Sequence, residues 1–207
     1  MKRLILLALC LASGIAFAQD TETKKFEFGA NVGVNTMLNY SPVSNFPDNT
    51  ATYSSVGESI HFGYRKNNTL FAVKVGTTNF STSAIDKNEL TANYRFGLMA
   101  RHYANINDHF ETYIGASLYA SLWATTYNGM DYLNTSTWGS NGEVEIGLNY
   151  ILENGHYFGI RGGLTVGGSK GTPTSSELLP ENSSSLSLNL KQFYTGYSLS
   201  IQYGIRF

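Results

Sequence analysis

The sequence predicts an all-β protein, an eight-stranded antiparallel up-and-down transmembrane β-barrel, and three observations lead there. First, Phe193, Thr195, Tyr197, Leu199, Ile201, Tyr203, Ile205 and Phe207 alternate without a break against Tyr194, Gly196, Ser198, Ser200, Gln202, Gly204 and Arg206. Period-2 alternation over this length describes a strand whose two faces meet different surroundings. It exceeds the ~5–6 residues usual in soluble domains and suits a tilted membrane-spanning strand, which needs about 9–11 residues. Second, further alternating segments precede it, separated by turn residues, with no helical period between them. Third, charged residues make up 14% of the chain, with 21 Gly and 14 Tyr, against about 25% charged in ordinary soluble domains.

The N-terminus points to export. Lys2 and Arg3 form a basic start, Leu4 to Ile15 an apolar run, and Ala16-Phe17-Ala18 a small-x-small cleavage site. Residues 1–18 therefore read as a secretory signal peptide and residues 19–207 as the barrel domain. Leu7-Ala8-Leu9-Cys10 offers a lipoprotein signal as the alternative, but bulky Leu9 stands where a small residue belongs, which favours cleavage after Ala18. Loss of Lys2 and Arg3 takes the formal charge from −1 to −3, and the remaining chain holds no cysteine. An exported fold without disulfides needs another source of rigidity, and a closed ladder of backbone hydrogen bonds supplies it. No cluster of Lys and Arg is present, which excludes nucleic acid as a partner class.

Taken in order, the first strand sets Phe26, Phe28, Ala30, Val32 and Val34 against Glu27, Gly29, Asn31, Gly33 and Asn35. The second sets Ile60, Phe62 and Tyr64 against Ser59, His61, Gly63 and Arg65, and the third Phe71, Val73 and Val75 against Ala72, Lys74 and Gly76. In the fourth, Ala92, Tyr94, Phe96 and Leu98 oppose Asn93, Arg95, Gly97 and Arg101. The fifth runs from Phe110 to Leu122 with Glu111, Tyr113, Gly115, Ser117 and Tyr119 on its polar side. The sixth opposes Val144, Ile146, Leu148 and Tyr150 to Glu143, Glu145, Gly147 and Asn149. The seventh opposes Phe158, Ile160, Leu164 and Val166 to Tyr157, Gly159, Arg161, Gly163 and Thr165, and the C-terminal alternation is the eighth.

Connection lengths alternate. Lys66–Thr69, Ala104–His109 and Leu152–His156 are short and carry Asn67-Asn68, Asn107-Asp108 and Asn154-Gly155. Tyr40–Ser55, Ser81–Glu89, Ala124–Gly139 and Gly168–Ser185 are long and polar. Short turns at one end and long loops at the other are the plan of an outer-membrane barrel with periplasmic turns and external loops. Leu186, Leu188 and Leu190 are apolar in the even phase, whereas from Phe193 the odd phase is apolar, which predicts a β-bulge or bend near Lys191-Gln192.

The leader, the eight alternations, the loop rhythm and the terminal Tyr203, Ile205 and Phe207 resemble the small outer-membrane β-barrel family: OmpX, the membrane domain of OmpA, and the "porin family" or PorT-like proteins. The run Phe26-Glu-Phe-Gly-Ala-Asn-Val-Gly-Val-Asn35 is similar to the first strand of the last group. The resemblance covers the mature chain and rests on pattern more than on fixed motifs. It implies the outer membrane of a Gram-negative bacterium, outer-membrane lipid as surroundings, assembly by the barrel-assembly machinery through the C-terminal strand, and no cofactor.

The polar faces carry Glu27, His61, Arg65, Lys74, Arg95, Arg101, Glu111, Glu143, Glu145, Arg161 and Arg206. An eight-stranded barrel is just wide enough for side chains to fill it, and charges inside it must be paired. A salt-bridged plug is therefore favoured over an open channel. Simple registers put Arg101 opposite Glu111, His61 opposite Lys74, and Arg206 beside Glu27. His102, His109 and His156 fall at the short-turn end, and Glu58 has no histidine near it in the pattern, so no catalytic set and no metal-ligand spacing emerges.

Tyr64, Phe71, Phe110, Tyr150, Phe158, Tyr203 and Phe207 fall at the short-turn ends of the apolar faces and read as an interfacial girdle. Trp123, Tyr127, Tyr132 and Trp138 gather in the third long loop, where a contact surface competes with an upper girdle. The function expected is a non-enzymatic outer-membrane barrel with a structural or surface-binding role through its long external loops. A small-solute channel and a lipid-modifying enzyme are the alternatives. A soluble ligand-binding barrel with its apolar face inward shares the same alternation, which by itself does not tell inside from outside.

Overall fold

The computed structural model describes residues 25–41, 49–81, 89–127, 135–173 and 190–207. They form eight antiparallel strands: β1 Phe26–Ser41, β2 Asn49–Lys66, β3 Thr69–Ser81, β4 Glu89–Asn105, β5 Phe110–Tyr127, β6 Thr135–Ile151, β7 His156–Pro173 and β8 Leu190–Arg206. Each pairs with its sequence neighbours, and β1 pairs with β8 from Glu27↔Arg206 to Tyr40↔Phe193, closing the barrel. At the seam the Phe26 N–H donates to the Phe207 carbonyl at 2.8 Å and the Phe207 N–H donates back at 3.0 Å. Closure leaves no unpaired edge, the condition for strands in lipid.

Following the pairs laterally from Glu27 leads through Gly63, Ala72, Met99, Ser117, Glu143, Thr165 and Gly196 back to Met37, ten residues up the starting strand. A stagger of this size tilts the strands by about 40° and leaves a lumen that side chains fill. Residues on adjacent strands that share a height therefore differ from those directly across a turn.

The alternation resolves into an apolar outside and a polar inside. Leu118 is 73% exposed, Leu164 69% and Ile146 63%, whereas Glu27 and Glu111 are fully buried. That arrangement is the reverse of a soluble ligand barrel. Aromatics ring the short-turn end of the outer wall: Phe26 stacks on Phe62 at 6.0 Å and Phe207 at 6.1 Å, Phe110 meets Tyr150 at 5.1 Å, and Phe158 meets Tyr203 at 5.0 Å. Outward-phased Ile205 is fully buried, with Phe28 and His156 as its register partners.

The short turns match the sequence reading. Asn67 adopts φ 54° and Gly155 φ 88°, left-handed conformations that Asn and Gly accept most readily. The first and third long loops are shorter than read, and the fourth begins later. β1 continues to Ser41 and β2 begins at Asn49, β5 runs to Tyr127 and β6 from Thr135, and β7 reaches Pro173. Thr, Ser and Asn in these stretches keep the hydrogen-bonded ladder while dropping the apolar alternation, so the strands rise past the apolar band without a hydropathy signal. The bulge expected near Lys191-Gln192 is likewise not formed: β8 pairs with β7 in unbroken register from Gly171↔Leu190 to His156↔Ile205. Leu186 and Leu188 lie outside the described residues. The change of phase marks where the strand leaves the apolar band, not an inserted residue.

Candidate functional site

Every polar-face residue singled out by its alternation lies on the inward phase of its strand, and most of them meet in two linked clusters. At the short-turn end Glu27 gathers groups from around the lumen. Tyr103 and Tyr157 hydroxyls donate to it at 2.8 and 3.0 Å, Arg206 Nε at 3.0 Å, and His61 Nε2 lies at 3.3 Å. Arg65 reaches Glu27 at 3.9 Å and Glu111 at 3.4 Å, and Arg206 also bridges to Glu111, which accepts from Asn149 Nδ2 at 2.8 Å. The second cluster joins Lys74 to Glu143 at 3.3 Å and to Glu145 at 3.2 Å. Arg161 Nε donates to Glu145 at 2.5 Å and its other arm pairs with Glu143, while Arg101 pairs with Glu145. Tyr119 donates to Glu143 at 2.6 Å.

Tyrosine rings separate and support these charges. Arg65 lies 4.3 Å over Tyr103 and Arg101 4.5 Å over Tyr113, and Arg206 lies 5.0 Å from the Tyr157 ring. The rings find room because inward glycines stand on neighbouring strands. A β-carbon on Gly147 would collide with the Tyr113 ring, and one on Gly204 with the Tyr157 ring. The abundance of Gly and Tyr is thus one packing device, with a bare backbone facing a large ring that carries a hydroxyl.

The registers read from sequence are met in part. Glu27 and Arg206 are paired as expected. Arg101 is opposite Gly115 rather than Glu111 and takes its carboxylate from Glu145 on β6. His61 and Lys74 are register partners, but His61 turns to Glu27 and Lys74 to Glu143 and Glu145. Tilt brings residues from non-adjacent strands to one height, and a two-strand register misses that. Tyr103, Asn149 and Gln202 complete the network without having been singled out as members of it. Their signal is phase alone, each lying an even number of residues along its strand from a buried charge.

The aromatic surface expected around the third loop is not one surface. Trp123 lies inside, its ring 5.0 Å from that of Tyr194, whereas Trp138 is opposite Leu122 on the outer wall and 66% exposed. Tyr127 is the last residue of β5, and Tyr132 lies outside the described residues. Odd positions point inward on both β5 and β6, so Trp123 and Trp138 face opposite ways. At the short-turn rim, His102 Nδ1 lies 3.1 Å from the Thr69 hydroxyl and His156 Nδ1 2.5 Å from the Tyr203 hydroxyl, and neither arrangement includes a carboxylate.

No family model matches the chain, and no curated protein matches it. Solved structures do match it. Neisserial surface protein A is similar at a TM-score of 0.57 and 14% identity, over 87% of this chain and 97% of that one. The outer membrane protein OprG from Pseudomonas aeruginosa is similar at 0.48 and 12%, over 88% and 97%. The outer membrane protease OmpT from Escherichia coli is similar at 0.39 and 5%, over 93% and 100%. At such identities the likeness concerns the fold, and the chain has the fold of the small outer-membrane β-barrels.

Proposed function

We propose that this chain is a non-enzymatic outer-membrane barrel of a Gram-negative bacterium, exported behind residues 1–18, with a structural or surface-binding role exercised at its long-connection end. The observation that carries this reading is the interior: Glu27, Glu111, Glu143 and Glu145 are tied from strand to strand to Arg65, Lys74, Arg101, Arg161 and Arg206. Paired charges and tyrosines occupy the middle of the lumen, which supports a plug over a water column. Among the described residues His61 is the histidine inside the barrel, held by Glu27 and 2% exposed, out of reach of a substrate at the rim. With the wall facing lipid and the lumen filled, the ends of the long strands remain for contact, and rigid scaffolds place recognition on such connections. Insertion by the barrel-assembly machinery through β8 belongs to the same proposal.

The test uses the full barrel in nanodiscs against an array of glycans and extracellular-matrix proteins, beside a variant with residues 42–48, 82–88, 128–134 and 174–189 replaced by short turns. The cuts spare every described strand. The expected result is array binding by the native barrel that is lost in the variant, while both migrate as folded, heat-modifiable species. Equal array signals from the two would overturn the surface-binding reading.

A further inference from the structure

Glu58 faces out of the barrel. Among the described residues it is the one acidic side chain on the outward phase of a strand, with Val32 on β1 and Thr77 on β3 as its register partners. Tyr64 of the aromatic ring lies six residues below it on β2, and a strand crosses the bilayer in about 9–11 residues, so Glu58 stands past the middle of the apolar band. Apolar residues continue above it: Val56 is 60% exposed and its partner Val34 58%. Among the described residues, no hydrogen bond or ion pair reaches the half-buried Glu58 carboxyl.

Lipid tails offer such a group nothing. A polar group in hydrocarbon stays costly until another polar group meets it, and an ionisable side chain at this depth marks a point of contact or of transport. The filled lumen leaves contact. Neighbouring outward positions supply matching chemistry: Thr77, opposite Glu58, and Asn79, two residues higher on β3, are half-buried and likewise make no side-chain hydrogen bond among the described residues. The far wall differs, with Leu118 and Leu164 presenting apolar surface to lipid.

We propose that the β2–β3 face joins a second copy of this chain in the membrane, with Glu58 and Thr77 as the central pair; the membrane setting rests on the function proposed above. An isologous contact needs a self-complementary patch, in which one residue meets another in both directions. Register partners stand at nearly one height. A twofold axis along the membrane normal, passing between β2 and β3, therefore lays Glu58 of one copy on Thr77 of the other, and Thr77 on Glu58. A hydroxyl donates and a carboxyl accepts, twice. The same axis sets Ile60 against Val75, and Val56 against Asn79. Strands tilted by about 40° cross at about 80° in such a pair, so the contact is short and one polar pair occupies its centre.

The experiment is energy transfer between donor- and acceptor-labelled barrels refolded into phosphatidylcholine vesicles, read as lipid is added. Native barrels should show transfer that falls with dilution, the mark of a reversible dimer. Glu58→Leu should weaken association about tenfold or more, the loss of two hydrogen bonds within a bilayer. It should fold at least as well as the native chain, since it takes a carboxyl off the lipid face. Thr77→Val should weaken association to a similar degree, and the double variant no further than either single one. Glu58→Gln keeps the acceptor and removes like charge across the axis, so it should associate at least as tightly as native. Cysteine is absent after Cys10, so Val75→Cys beside the axis should be joined into dimers by a short bismaleimide, and Ile146→Cys on the far wall should not. Native barrels that enter the vesicles and show no transfer at any dilution overturn the inference. So does a Glu58→Leu barrel that associates like native, or linkage through Ile146→Cys in place of Val75→Cys. A chain that does not enter the vesicles removes the membrane reading, and this inference with it.

Discussion

Replacing Glu145 by alanine should lower the unfolding free energy by about 3–5 kcal/mol, the cost of removing one partner from a buried ion pair. Glu145 is 1% exposed and accepts from Lys74 at 3.2 Å, from Arg161 at 2.5 Å and from Arg101. Its loss leaves three cations facing one another with Glu143 as the remaining carboxylate of the cluster. Glu153→Ala, in an exposed turn between β6 and β7, is the matched loss of a carboxylate and should stay within about 0.5 kcal/mol of native. Urea unfolding of barrels refolded into lipid, followed by the fluorescence of Trp123 and Trp138, measures both. A Glu145→Ala barrel as stable as Glu153→Ala would mean that the plug contributes nothing to holding the strands together.

The second large effect belongs to the outer wall. Ile146 is 63% exposed and opposite Ile114 in the apolar band, a few residues above the aromatic ring at Tyr150. Ile146→Arg should cost about 2–4 kcal/mol in a bilayer, and Ser136→Arg, near the upper end of the same strand on the same face, about 0–1 kcal/mol. The difference reports depth in hydrocarbon, because both positions are exposed in the isolated chain and make no comparable contacts. On a protein whose outer wall faces water, both substitutions would fall within about 0.5 kcal/mol of native. Equal small costs at the two positions would remove the membrane from the account.

Strand number, strand phase and closure were legible because alternation is a local property. The face of each residue follows from its phase once one residue per strand is placed, and Glu27, Lys74, Arg101 and Arg161 all lie where phase puts them. Partners were not legible, because charges pair over an intervening strand or across the tilted lumen. Arg101 on β4 reaches Glu145 on β6 over Gly115, the bare residue opposite both, and the tilt brings Tyr103 on β4 to Glu27 on β1. Inside and outside were not fixed by alternation either; the buried carboxylates and exposed leucines decide it. Loop boundaries failed for a third reason. Above the apolar band both faces are polar, so Asn49 to Thr52 and Thr135 to Thr137 carry a ladder that no hydropathy pattern marks. Trp123 and Trp138, close in that stretch, looked like one surface until β5–β6 pairing put them on opposite faces. Arg95 was visible as an inward charge, but that no carboxylate pairs with it among the described residues could be seen only after the other pairs had formed.

Planar-bilayer recording of the purified native barrel in molar potassium chloride asks directly whether paired charges close the lumen and leave function outside it. A plugged lumen gives no persistent conductance step under steady voltage, whichever way the barrel inserts. A stable open current, present in the native barrel and altered by Glu145→Ala, would contradict it and make the charged interior a permeation path.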